Sequence, residues 1–104
     1  MTTGITVRDN ASSRSYDALV DGQVVGSVVY QLEGRRMVFM HTIVVPEFRG
    51  RGVGTTLVRD ALDDVRSKGM TLTNYCGFVS AFMGDHPEYA DLIDAAHPGQ
   101  VPRI

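Results

Sequence analysis

Six residues constrain this chain more than any others. They are Arg49-Gly50-Arg51-Gly52-Val53-Gly54, set between an apolar run, Met37 to Val45, and a helical pattern, Val53 to Lys68. The run reads as a strand, and Pro46 ends it because it brings no N–H to a ladder. In the following pattern Val53, Leu57, Val58, Ala61, Leu62 and Val65 fall on one stripe, with Arg59, Asp60, Asp63, Asp64 and Arg66 on the wet side. Three glycines at alternate positions, where strand becomes helix, let consecutive N–H groups turn toward one point. Those donors and the positive end of the helix dipole suit a phosphate. Arg49 and Arg51 add fork-shaped cationic donors. Residues 49–54 therefore read as the seat of a diphosphate.

Two common phosphate loops are excluded. A Walker loop needs Lys and then Ser or Thr after its last glycine, and here Thr55-Thr56 follow Gly54 directly. The dinucleotide fingerprint G-x-G-x-x-G fails as well: its sixth position is Thr55 counted from Gly50 and Leu57 counted from Gly52. What fits is R-x-x-G-x-G on Arg49, Gly52 and Gly54. That pattern resembles the coenzyme A loop of the GNAT N-acetyltransferases.

The chain has 104 residues, enough for one domain with one core, and residues 1–104 are expected to form it. A net charge of −2 leaves no basic surplus for nucleic acid or an anionic membrane. No apolar stretch approaches the ~20 residues of a membrane span, and Met1 to Gly4 shows no secretory pattern. One cysteine excludes an internal disulfide and points to a reducing, cytoplasmic setting.

Taken in order, the chain predicts four antiparallel strands: Ile5 to Asp9, Tyr16 to Val20, Gln23 to Leu32 and Arg36 to Val45. Asp21-Gly22 is a two-residue hairpin signal, and Gly26 marks a bulge or a close backbone approach. Strand four alternates, with Met37, Phe39, His41, Ile43 and Val45 on one side and Val38, Met40, Thr42 and Val44 on the other. Both sides are largely apolar, so it is expected to be covered on both faces. The helix ends at Gly69, and Met70 to Tyr75 is a fifth strand, parallel to the fourth by the crossover rule. Its carboxyl end then lies beside the phosphate loop, near Asn74, Tyr75 and Cys76. A short helix over 77–83, with Phe78, Val79, Phe82 and Met83 turned inward, precedes a last helix. That helix starts at Pro87, with Tyr89, Leu92, Ile93 and Ala96 as its apolar face. Residues 100–104 read as a loose tail. The fold class is α/β (α+β): a mixed, mostly antiparallel five-stranded sheet with parallel strands 4 and 5 and helices packed on it.

His41-Thr42, Val45-Pro46, the Arg49–Gly54 loop, Cys76-Gly77-Phe78-Val79 and His86-Pro87-Glu88-Tyr89-Ala90-Asp91-Leu92 occur in that order. Together they resemble the small cysteine-containing, CG-type branch of the GNAT superfamily. The resemblance implies splayed central strands with acetyl-CoA in the opening between strands 4 and 5. Its diphosphate would meet residues Arg49, Gly50, Arg51, Gly52, Val53, Gly54 and Thr55. Its pantetheine arm would pair with Ile43, Val44 and Val45 like an added strand, and its thioester would point toward Cys76. The implied reaction is acetyl transfer to an aliphatic amine, on a small molecule or a protein, through an acetyl-cysteine. Asn74 departs from the proline expected in many relatives; as a ligand residue it would hydrogen-bond the pantetheine or the thioester oxygen.

Three readings stand for Cys76. At the head of a helix it is placed to act as a thiolate nucleophile; as a free cysteine it is also an ordinary buried hydrophobe; or it only lines the pocket while the amine attacks acetyl-CoA directly. Two readings stand for His41: a general base for Cys76 or the incoming amine, or a hydrogen-bonded core histidine. One Cys and three scattered His give no metal-ligand spacing. The expected protein is a monomer or weak dimer. The rivals to an acetyltransferase are a module that holds acetyl-CoA or CoA without turnover and a protein that binds a different nucleotide.

Overall fold

The computed structural model describes residues 4–99. Strands β1 (Thr6–Asn10), β2 (Ser15–Val20), β3 (Gln23–Glu33), β4 (Arg36–Val44) and β5 (Thr71–Asn74) form one sheet in chain order. The first four pair antiparallel and β4 pairs parallel with β5, so the sheet is mixed as expected. Asp21 (φ 50°) and Gly22 (φ 78°) both take the left-handed conformation that a two-residue hairpin needs to match strand twist.

Helix α1 (Val53–Ser67) provides the crossover, and its buried residues are the six of the predicted stripe. Burying each of the larger ones contributes roughly 1.5–3 kcal/mol, so packing rather than intrinsic propensity holds a 15-residue helix in place. α1 lies close on β3: a Cβ at Gly26 would come 3.3 Å from Val53 Cγ1 and 3.5 Å from Leu57 Cδ2. At the far end of α1, Tyr16 Oη donates to Asp64, and Lys68 Nζ lies 2.7 Å from both Asp64 and Asp9. Tyr30 Oη donates to Asp9, which completes a polar tie from α1 to β1, β2 and β3.

Two expectations are corrected. Only the first half of β4 is covered on both faces: Met37, Val38 and Phe39 are buried, but His41 is exposed and Ile43 is 52% exposed. The reason is a bulge. Val29 pairs with His41 and Tyr30 with Phe39, so Met40 has no residue opposite. The extra residue shifts the alternation by one. Thr42 and Val44 now share the α1 face with Phe39, and His41 and Ile43 turn to the other.

The last helix is also different. After α2 (Gly77–Asp85), Pro87–Leu92 forms a 3₁₀ turn, and from Ile93 the chain runs along the outer edge of β5. Ile93 bridges Leu72, Asp94 N–H donates to Leu72 O (2.8 Å), and Asn74 N–H donates to Pro98 O (3.1 Å). Asp94 Oδ1 accepts from the N–H groups of Ala96 and His97 (3.0 and 3.1 Å), which favours a turn there over a continuing helix. Residues 100–104, read as a tail, lie outside the described residues.

Candidate functional site

The site begins where β4 and β5 separate. β5 ends at Asn74 opposite Phe39, and the last rung is Tyr75 N–H to Phe39 O at 2.9 Å. β4 continues to Val44, while Cys76 turns the chain into α2. Val45 N–H donates to Val25 O (2.9 Å), so position 45 faces β3 in the ladder. The two-residue alternation then turns the main-chain groups of Thr42 and Val44 toward the opening. Val44 O accepts there from Arg49 Nε (3.2 Å).

Below the opening lies the glycine loop. Pro46–Phe48 is a 3₁₀ turn with Arg49 as its C-cap, and Gly50 (φ 78°) and Gly52 (φ 83°) follow. Both angles are left-handed, which glycine adopts without a side-chain penalty. Gly52 is the N-cap of α1, and no side chain caps this end. The N–H groups of the first turn therefore lack a side-chain acceptor and border a cleft of about 550 Å³. β4 lines it with Thr42, Ile43 and Val44, the loop and first turn with Phe48 and residues 49–50 and 52–55, and α2 with Phe78. Arg49 is the one charged residue in this lining.

Phe78 does not turn inward as expected; it is 47% exposed and stands in the cleft wall. Its ring rests on Gly54, where a Cβ would come 2.7 Å from Cζ. Arg51 does not line the cleft either. Its guanidinium lies over the Phe48 ring, 5.3 Å from the centroid, beside a separate hollow of about 270 Å³. Ile43 and Val44 border the opening, whereas Val45 spends its N–H on β3.

Cys76 is the extended N-cap of α2 (φ −95°, ψ 122°) and is 5% exposed. Asn74, 1% exposed, holds it from behind. Asn74 Oδ1 accepts from Cys76 N–H (3.0 Å), and Asn74 Nδ2 donates to Cys76 O (3.1 Å) and to Ser80 Oγ (2.9 Å). The Asn74 amide is thus engaged within the fold rather than presented to the cleft. The sulfur meets β4: Cys76 Sγ lies 3.2 Å from Thr42 Oγ1. His41, one residue away, is on the opposite face and is not brought to the thiol.

Among the described residues no group of His, Cys, Asp and Glu has the arrangement to hold a metal ion, and no helix is long and apolar enough to cross a membrane.

Residues 15–92 match the family described as GCN5-related N-acetyl-transferase. The chain belongs to the GCN5-related N-acetyltransferase family. This is a family of acyltransferase enzymes whose usual acyl donor is acetyl-CoA. No curated protein sequence matches the chain significantly. Among solved structures, a GCN5-like protein from Staphylococcus aureus aligns with a TM-score of 0.64 at 16% identity, over 88% of this chain and 89% of that one. Ard1 from Thermoplasma volcanium is 26% identical with a TM-score of 0.53, over 62% and 45%. The ribosomal-protein-S18-alanine N-acetyltransferase from Escherichia coli shares the fold at a TM-score of 0.54 and 13% identity, over 71% and 43%. The chain thus spans most of the first protein and less than half the length of the other two.

In this GCN5-related acetyltransferase, sequence reasoning missed Thr42 and Phe78. The signal for Thr42 was hidden by the bulge, since the alternation read from sequence set it on the face away from Phe39. The signal for Phe78 was present but unread: an aromatic ring needs a place to rest, and Gly54 offers a bare backbone.

Proposed function

We propose that the protein transfers an acetyl group from acetyl-CoA to an aliphatic amine, with Cys76 as the transient carrier. The observation that carries this reading is the cleft itself. An uncapped helix end with two left-handed glycines and Arg49 forms one end of it, and a free stretch of strand leads from there to a buried thiol. The diphosphate suits the first and the amide-bearing pantetheine arm the second, paired with Thr42 and Val44 as an added strand would be. The thioester then lies near Thr42 and Cys76.

The reaction balances in two steps. Cys76 sulfur bonds to the acetyl carbon as the bond from that carbon to the coenzyme sulfur breaks, and the coenzyme leaves as a thiol with the proton from Cys76. The amine nitrogen then bonds to the same carbon, the Cys76 S–C bond breaks, and a proton from nitrogen restores the Cys76 thiol. In this reading His41, exposed on the opposite face of β4, takes no part at the sulfur. We place the enzyme in the cytoplasm as one domain over residues 1–104, a monomer or weak dimer.

Thermal shift with acetyl-CoA, NAD and ATP tests the ligand, because stabilisation follows concentration relative to Kd; stabilisation by NAD or ATP alone would refute the reading. Intact mass after mixing with acetyl-CoA tests the carrier, and one added acetyl group on Cys76 is expected. The cleft alone would serve a coenzyme-binding module equally well. Turnover with a panel of amines and peptide N-termini separates the two.

A further inference from the structure

The Thr42 hydroxyl is the nearest polar partner that the structure gives the Cys76 sulfur, at 3.2 Å, and the contact joins two separate elements. Thr42 also lines the cleft, and its main chain faces the opening. Other groups that could act on the thiol are placed elsewhere. His41 faces the opposite side of the sheet, and α2 has no acidic residue in its first turn. In the cleft lining the only charged side chain is that of Arg49, which reaches Val44 O. Tyr75 is half exposed, and its N–H serves the ladder.

We infer that Thr42 is a catalytic residue, whose hydroxyl donates a hydrogen bond to the Cys76 sulfur and so holds the thiolate ready to attack a thioester lying along β4. A threonine hydroxyl both donates and accepts. It can take the S–H while the thiol is neutral, then turn its own O–H to the sulfur when the proton leaves. No bond to Thr42 forms or breaks. The proton lost by Cys76 ends on the coenzyme sulfur, and the one released by the amine returns to Cys76. The role rests on the reading of Cys76 as acetyl carrier, but the hydrogen bond can be tested without the coenzyme.

Thr42→Val keeps the shape and removes the hydroxyl, and Thr42→Ser restores it. One cysteine in the chain makes alkylation by iodoacetamide, followed by intact mass, a specific readout of the thiol without the coenzyme. In Thr42→Val the alkylation of Cys76 at neutral pH is expected to slow about tenfold, as for loss of a hydrogen bond to a charged group. Acetylation of Cys76 at neutral pH should slow about tenfold, with acetyl-CoA affinity unchanged. Thr42→Ser should return both toward wild type. A wild-type alkylation rate in Thr42→Val would overturn the assignment. So would a Thr42→Val protein that loses coenzyme affinity in step with acetylation, since the hydroxyl would then be structural. If wild-type Cys76 takes no acetyl group while Thr42→Val still slows alkylation, the carrier reading fails and the hydrogen bond stands.

Discussion

At the scale of single residues, the site depends on how a small thiol is held. Asn74 spends its whole amide on the Cys76 main chain and Ser80. Asn74→Ala is expected to leave buried partners unsatisfied and to cost about 1–3 kcal/mol of stability, measured by denaturant unfolding. It should also slow acetylation, because the Asn74 amide holds both main-chain groups of Cys76 at the head of α2. Cys76→Ala should abolish the acetyl-enzyme mass while leaving acetyl-CoA affinity intact; unchanged turnover in that variant would remove the covalent step. The candidate nucleophile was legible in the sequence, because a lone cysteine followed a strand beside the loop. Its neighbour was not. Which of His41 and Thr42 meets the sulfur depends on one unpaired residue, Met40, and a bulge of that kind leaves no mark in a run of apolar side chains.

At the scale of elements, two helix ends meet in one cleft. Gly54 sits in the first turn of α1 and the Phe78 ring of α2 rests on it. Gly54→Ala should push the ring aside at a cost of about 1–3 kcal/mol, the usual range for overpacking. It should also weaken acetyl-CoA binding, and adding Phe78→Ala should recover much of the stability. Calorimetric titration and thermal unfolding of the two single variants and the double one would decide it. Gly52→Asp should weaken binding more strongly, since position 52 has φ 83° and a carboxylate there would face the diphosphate; unaltered affinity would contradict the seat. α1 was legible residue by residue because its stripe has an unbroken helical period. The 93–98 segment was not, because its fate was set by pairing with β5, a long-range contact that local spacing cannot report.

At the scale of the whole molecule, charge ties the layers together and sets a pH window. Burial opposes ionisation of Asp17 and Asp64. Hydrogen bonds outweigh it, from Ser15, Asn10 and Ser27 to Asp17 and from Lys68 and Tyr16 to Asp64, so both carboxyls titrate below the ordinary 3.8. Their contribution is therefore present above pH ~3.8 and is lost as pH falls below it. Tyr30 and Tyr89 are pushed up to about 12, first by burial and then by hydrogen bonds to Asp9 and Asp63. Their contribution is complete below the ordinary 10.0 and is lost as pH rises toward about 12. A plot of Tm against pH should hence be broad in the middle and fall at both ends, and Asp64→Asn should flatten its acid limb. An acid limb of the same steepness in that variant would exclude Asp64 as a cause.

β4 outruns β5, and the 93–98 segment seals only the latter's far side. The protein thus carries a short length of adhesive main chain, and any extended amide can stick to it. Coenzyme would be competing for that strip with other polypeptides, including second copies of this one. Sedimentation at rising concentration should find more self-association in the empty protein than in the loaded one.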